Sequence, residues 1–416
     1  MSKQLLVIED NKSIASVIKH LGDSLGYQVT IAESFAKVKS LLAHEQKFFV
    51  ATVDFNLPDA PNGEVIPYVI ERGMPSIIMT GRMDEKTHRK VLNLPVIDYI
   101  MKENAQAYHY LLRILSGQLT NSNIGILLVD NSTAARNKLA LLLKRRNFTV
   151  YCTANAAEAL TVLDQRSDIK MVIVEQEMPI TNGVQLVQQI RRKYAANELI
   201  IMGLTDAEHH FQAERFIKNG ADDYLKKPFS SEEFYCRILQ NIERLSHVEE
   251  MEKLANSDDF TALLNRRCFL EQTKIMLNTE YEQPSVLLLA ILHIDKFQEL
   301  NDKYGYKLGR KLLIEIANIL KTQFSTDITA RLNGAEFAVF IKNKELQVIK
   351  LALKLLLQHI SKHSIEFSGK QINISISLGG KLVKETKTLQ SLLKGADQAL
   401  IQAKQQGGNQ LIINED

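Results

Sequence analysis

Glu9, Asp10, Asp54, Thr80 and Lys102 are the residues of the first 120 positions whose types suit a shared chemistry. Each stands at or just beyond the end of a short apolar run, the position from which a buried strand presents side chains to a site. Three carboxylates brought together repel one another, and a hard divalent cation with oxygen ligands is the usual remedy. A hydroxyl and an ammonium beside a metal-bound carboxylate can hold the oxygens of a phosphoryl group. A second set follows in the same order: Asp130, Glu175, Thr205 and Lys227. The offsets between equivalent positions are 120, 121, 125 and 125 residues. This is a duplicated domain with a few residues gained between its third and fourth strands, not a solenoid, whose periods run ~20–50 residues.

The elements that must position these residues alternate. Strand-like runs occupy residues 5–10, 48–55, 76–79 and 96–101, and again 126–130, 171–175, 199–202 and 223–226, with helix-period stretches such as 14–25 and 134–143 between them. The order β-α-β-α-β-α-β-α-β, twice, predicts two doubly wound five-stranded parallel sheets. Composition agrees with a globular chain: 45% hydrophobic and 24% charged over 416 residues. The longest apolar run, residues 286–292, is far short of the ~20 residues that span a bilayer. The start, Met-Ser-Lys and then a short apolar run leading to acids, lacks the pattern of a secretory signal. Three scattered cysteines without a CxxC fit a reducing cytoplasm and argue against disulfides or zinc. The net charge of +3 is spread evenly, with 13 basic and 13 acidic groups in residues 1–120, 16 and 15 in 121–245, and 22 and 20 in the rest. No segment is basic enough to bind DNA as a polyanion.

The first set resembles the receiver domain of bacterial response regulators, with its acid pair, acceptor aspartate, Thr and Lys. The resemblance implies that Asp54 takes phosphate from a histidine kinase or a phosphotransfer protein. It also implies Mg2+ held by Glu9, Asp10, Asp54 and the Asn56 backbone carbonyl. Tyr99 matches the aromatic position that the family couples to the Thr. Glu103 follows Lys102 where the family usually has proline. In the second copy Val129 replaces one acid and Glu175 replaces the acceptor, while Thr205, Tyr224 and Lys227-Pro228 are kept. A glutamyl carboxylate reaches one methylene further, and a misplacement of ~1 Å can cost ~10²-fold in rate. The second copy is therefore expected to be a receiver that keeps the fold as an adaptor without the reaction.

From Glu232 to Ala255 the sequence is helix-forming. Ile238, Ile242, Leu245, Val248, Met251 and Leu254 recur every three or four residues. That stripe suits either a parallel coiled coil between two protomers or a helix lying on its own domain.

The remainder resembles the GGDEF domain, the diguanylate cyclase fold. The matching segments are Asn-Ser-Asp-Asp-Phe-Thr-Ala-Leu-Leu-Asn-Arg-Arg at 256–267, an apolar strand at 286–294 running into Asp295, Asn301-Asp302 and Gly305, and the signature hairpin Arg331-Leu-Asn-Gly-Ala-Glu-Phe337. Ser375-Ile-Ser-Leu-Gly379 and Ala396-Asp397 through Lys404 also match. In the family two carboxylates bind metal, one of them held to deprotonate the attacking hydroxyl. Here those positions are His293 and Ala335, and imidazole is a poor ligand for Mg2+. Glu336 survives next to Ala335, but neighbouring strand residues face opposite ways. Asn301 keeps the guanine-binding asparagine. The acid that pairs with the guanine edge is Arg310, and arginine offers only donors. Gln298 and Gly408 replace phosphate-binding residues while Lys404 is kept, Asn333 replaces the first signature glycine, and the upstream inhibitory motif, from Phe324 to Asp327, lacks its arginine.

The expected protein is α/β: a flavodoxin-like receiver at 1–120, a second at 121–240, a helical linker at 241–255 and an α+β GGDEF-like domain with an antiparallel-containing sheet at 256–416. The expected function is a cytoplasmic phosphorelay response regulator. Asp54 is the phosphoacceptor, with Thr80, Lys102 and Tyr99 as its helpers. The output domain has lost cyclase activity, retains Asn301 and Lys404 as residual GTP-site positions, and acts by protein contact. Two rival expectations are a working cyclase making cyclic di-GMP from GTP and a guanine-nucleotide sensor. Expected partners are the kinase or phosphotransfer protein, a second copy of the chain through the receivers and connecting helix, and a downstream protein, with no DNA and no membrane span.

Overall fold

The computed structural model describes residues 3–43, 47–81, 94–206, 210–278, 286–343, 345–383 and 388–415. Two compact units divide the chain, Met1–His247 and Val248–Asp416.

The first unit contains two five-stranded sheets. Strands β1 (Gln4–Ile8), β2 (Gln28–Ala32), β3 (Val50–Asp54), β4 (Ser76–Thr80) and β5 (Asp98–Met101) are arranged β2-β1-β3-β4-β5, all parallel. Strands β6 (Gly125–Val129), β7 (Thr149–Thr153), β8 (Ile169–Glu175), β9 (Ile200–Asp206) and β10 (Asp223–Lys227) repeat that order. The apolar runs form these strands because helices cover both faces of each sheet. Leu5 and Val7 join Ile18, Leu111 and Leu115 on one side, while Leu6 and Ile8 join Val38, Val65 and Val69 on the other. Every residue of β3 and β4 is buried, the pattern of a central parallel strand. The helix-period stretch between β4 and β5 of the first sheet lies largely outside the described residues.

The two sheets are tied by a buried polar cluster that the sequence did not signal. Arg146 ion-pairs with Asp98, and its side chain is 2% exposed. The Tyr110 hydroxyl donates to the same carboxylate at 2.6 Å. The Arg146 guanidinium lies over the Tyr235 ring, 4.5 Å from its centroid. Asn121 Nδ2 adds a bond to the Arg146 carbonyl at 2.8 Å.

The connecting helix runs Ser231–Asn256 without interruption. Its stripe divides: Ile238, Ile242 and Leu245 sit in the core of the second sheet, so residues assigned to a linker from 241 onward still belong to that core. Met251 and Leu254 are exposed.

In the second unit β11 (Val286–Ile294), β12 (Ile328–Asn333), β13 (Glu336–Asn343), β16 (Ile376–Leu382) and β17 (Leu411–Asn414) form a mixed sheet ordered β12-β13-β11-β16-β17. A small hairpin, β14 (Ser364–Phe367) and β15 (Lys370–Asn373), stands apart. The central β11 is antiparallel to both neighbours, and β16 pairs parallel with β17. Leu288, Ala290, Leu292 and Ile294 pack on the helices Tyr306–Gln323 and Leu346–Lys362. Leu287, Leu289 and Ile291 pack on Arg266–Asn278 and Leu389–Gln405. At Gly379 an added Cβ would lie 2.1 Å from the Leu400 amide nitrogen, so glycine sets how closely that last helix approaches the sheet.

Candidate functional site

Parallel strands deliver the first residue set to one edge. Glu9 follows β1, Asp54 closes β3, Thr80 closes β4 and Lys102 follows β5. The Lys102 amide donates to the Thr80 carbonyl at 2.8 Å, which continues the ladder past the strand end. Asn11 caps the helix Lys12–Ser24 by accepting from Ser13 N and Ile14 N, and this turns the chain directly after Asp10. The carboxylates of Glu9, Asp10 and Asp54 offer oxygens that all lie within 4.8 Å of one another. Lys102 Nζ bridges two of them, 2.5 Å from Glu9 Oε2 and 2.7 Å from Asp54 Oδ2. Glu9 is 1% exposed and Asp54 7%, whereas Asp10 faces solvent. The Asn56 amide donates to Asp54 Oδ1 at 3.3 Å. Thr80 is fully buried, and Tyr99, one strand further, is half-buried.

Burial pushes the Glu9 carboxyl up to about 7; Lys102 opposes the shift and the neighbouring Asp54 charge adds to it. One ammonium therefore does not balance three acids in this setting. A compact cation with oxygen ligands would, and the three hard carboxylate donors fit Mg2+.

At the equivalent edge of the second sheet the acceptor position holds a paired glutamate. Glu175 ion-pairs with Lys227, and it also accepts from the amides of Gln176 at 3.0 Å and Glu177 at 3.4 Å. Burial raises the Glu175 carboxyl above its ordinary range, against the pull of Lys227. Val129 is buried where the first sheet has Glu9. Arg136 donates to the Asp130 backbone carbonyl. That guanidinium places positive charge where the first sheet gathers acids, a substitution that Arg136, one of four basic residues in its helix, gave no reason to expect. Among the described residues the one cis peptide is Lys227–Pro228.

In the second unit His293 pairs across the sheet with Glu336 and with Ser377. Glu336 shares the face of His293, and Ala335 is buried in the opposite core, 5% exposed. Burial pushes the His293 imidazole below its ordinary value; Lys404 adds to the shift and Glu336 opposes it. His293 Nδ1 is buried without a hydrogen-bond partner among the described residues. The Asp295 carboxylate is fully engaged, accepting from Ser375 Oγ at 2.7 Å, Ser377 Oγ at 2.6 Å and the Asn409 amide at 3.0 Å. At the signature hairpin the left-handed conformation falls on Gly334, φ 44°, and Asn333 stays in its strand. Phe324 is a core residue, and Asp327 accepts from the Lys342 amide at 3.3 Å. Asn301 lines a cavity with Arg310, and Lys404 lies on the last helix, near enough to His293 to shift it.

Comparison with known proteins follows these divisions. Residues 126–239 match the response regulator receiver domain, and residues 255–410 match the diguanylate cyclase, GGDEF domain. The chain is 24% identical over 255 residues to the response regulator PleD of Caulobacter vibrioides, covering 59% of this chain and 56% of that protein. It is 32% identical over 173 residues to the diguanylate cyclase DgcS of Shewanella oneidensis, covering 41% of this chain and 57% of that protein. The chain thus spans about half the length of these curated relatives. A solved structure of a two-component system response regulator/GGDEF domain protein aligns over 59% of this chain and 100% of its own, with 31% identity and a TM-score of 0.54. No helix among the described residues is long and apolar enough to cross a membrane.

Proposed function

The chain belongs to the response regulators that join a receiver domain to a GGDEF domain, and from that premise we propose that residues 1–120 form a second, phosphorylatable receiver whose acceptor is Asp54. The observation that carries this reading is the convergence of Glu9, Asp10 and Asp54 with Lys102 at one sheet edge. An Asp54 carboxylate oxygen attacks the phosphorus of a phosphohistidine on a histidine kinase or phosphotransfer protein. The P–O bond forms as the P–N bond breaks, and the histidine nitrogen leaves with the electron pair. Lys102 follows the charge from the carboxylate to the phosphoryl oxygens, and the Thr80 hydroxyl supplies a further donor. Mg2+ held by Glu9, Asp10, Asp54 and the Asn56 carbonyl would screen the repulsion between acids and phosphoryl group. Tyr99 follows the movement of Thr80.

Residues 121–240 serve as an adaptor. Glu175 at the acceptor position supports this, because its longer side chain is held by Lys227 and by the amides of Gln176 and Glu177. Residues 241–255 lead through the connecting helix to the GGDEF domain at 256–416. That output acts by contact with a downstream protein rather than by cyclising GTP. His293 in place of a metal-binding carboxylate and Ala335 turned into the core support the loss of turnover, since neither offers a hard oxygen ligand. The test is incubation of the full chain with GTP and Mg2+ or Mn2+, with and without beryllofluoride. No cyclic di-GMP is expected in either state. Product that depends on Glu336 would overturn the non-catalytic reading and leave the phosphoacceptor reading standing.

A further inference from the structure

The helix Leu346–Lys362 carries two apolar faces. Ile349, Leu353, Leu356 and Ile360 are buried in the core of the second unit. Beside them Val348, Leu351 and Leu355 also recur every three or four residues, and they are 44%, 58% and 51% exposed. No other helix among the described residues exposes three large apolar side chains. An exposed apolar patch rimmed by polar residues marks an interaction surface. This patch borders a groove. A cavity of about 540 Å³ opens between this helix and Tyr306–Gln323, lined by Asn318, Ile319, Thr322, Gln323, Leu355 and His359. Gln323 Nε2 donates to the Ala352 carbonyl at 2.8 Å and ties the two walls together, so the groove is built into the packing of the domain.

The charges select the kind of occupant. Leu346–Lys362 contains Lys350, Lys354, Lys362 and His359 and no acidic residue. Lys350 is engaged by Glu415 at 2.5 Å. Lys354 and Lys362 are exposed and meet no carboxylate among the described residues. Lys354 follows Leu351 by three positions and Lys362 follows Leu355 by seven, so both rise beside the apolar stripe. The opposite wall, Asn318, Thr322 and Gln323, is uncharged. From Val348 to His359 the stripe is about three turns, ~16 Å, long, and the channel between two helices seats a rod ~10 Å across. A flat bilayer surface cannot reach such a concave floor. Helices that dock in apolar grooves do so through anchors at i, i+3, i+4 and i+7. We propose that this groove receives an amphipathic helix with an acidic polar face from the downstream protein. The inference rests on the reading that the output domain acts by contact, and it names the surface that makes the contact.

Fluorescence anisotropy of amphipathic peptides of ~18 residues, titrated with the full chain, tests this. One peptide has leucine on one face and glutamate on the other. A second has lysine in place of glutamate, and a third is the first in scrambled order. The acidic peptide should saturate, and the other two should bind at least ~10-fold more weakly, the basic one because like charges meet across the interface. Leu351→Glu should weaken the acidic peptide by ~10-fold or more, as expected for a central apolar anchor. Lys354→Glu should weaken it by ~2–5-fold, a difference that ~0.5 M salt removes. Both positions are exposed, so melting curves like that of wild type separate loss of docking from loss of fold. The proposal is overturned by no saturation below ~1 mM, by equal binding of acidic and basic peptides, or by a Leu351→Glu variant that binds unchanged. Sedimentation with phosphatidylglycerol vesicles, or self-association, that depends on Leu351 while the acidic peptide does not bind would give the groove to a membrane or to a second copy, and would overturn it too. Cyclic di-GMP production would overturn the contact reading whatever the peptides do, and failed peptide binding would leave the absence of turnover standing.

Discussion

Replacing Arg146 by Met removes one half of the buried pair that joins the two parallel sheets. The Arg146 side chain is 2% exposed and that of Asp98 11%, so the charge left on Asp98 cannot be taken up by water. Breaking a buried ion pair from one side costs ~3–5 kcal/mol. Asp98 keeps the Tyr110 hydroxyl at 2.6 Å and the Tyr99 amide at 2.8 Å, which places the loss near the lower end, about 3 kcal/mol. With a urea dependence of ~2–3 kcal/mol per molar, the midpoint for this unit should fall by about 1–1.5 M. Asp98→Asn with Arg146→Met removes both charges, so the pair should cost less than the sum of the two single changes by ~2 kcal/mol. The assay is urea unfolding of the full chain, read by hydrogen exchange in peptides spanning residues 98–146. A loss below ~1 kcal/mol for Arg146→Met, or single effects that simply add, would refute the view that this pair holds the sheets together.

Gly379→Ala should force the helix Leu389–Gln405 away from β16, because the new methyl would meet the backbone of Leu400 and Ala396 at 2.1 and 2.3 Å. The expected cost of ~2–3 kcal/mol lowers the GGDEF-domain melting temperature by about 5–10 °C, and an unchanged melting curve would contradict the packing described. Burial holds the His293 imidazole below its ordinary value, so the unfolded chain binds more protons as pH falls through ~6.5. Stability of this domain should therefore fall below that pH, and His293→Asn should flatten the dependence; an equally steep profile in the variant would show that other groups are responsible.

What the sequence made legible follows from locality. Apolar runs that end in acids specify strands and their carboxyl edge together, so Glu9, Asp54, Thr80 and Lys102 could be placed before their contacts were known. The expected strand at residues 286–294 coincides with β11 because the seven-residue apolar run at 286–292 has no amphipathic helical reading. Arg146 was illegible for the converse reason. It ends the run Lys144-Arg145-Arg146, which reads as a solvated helix terminus, and its burial is decided by Asp98, 48 positions away. The stripe of the connecting helix could not be divided from periodicity alone, because Leu245 and Met251 belong to the same series and only tertiary packing separates them. Asp295 reads only as the acid that ends the apolar strand at 286–294, and the hydroxyls that occupy its carboxylate lie 80 and 82 residues further on.

The most direct test of the account is the intact mass of the full chain after treatment with acetyl phosphate and Mg2+. Wild-type protein should gain one phosphoryl group, Asp54→Asn should gain none, and Glu175→Gln should behave as wild type. An Asp54→Asn protein that still gains a phosphoryl group mapped to residues 121–240, or a wild-type protein that gains none, would contradict the assignment of Asp54 as the sole acceptor.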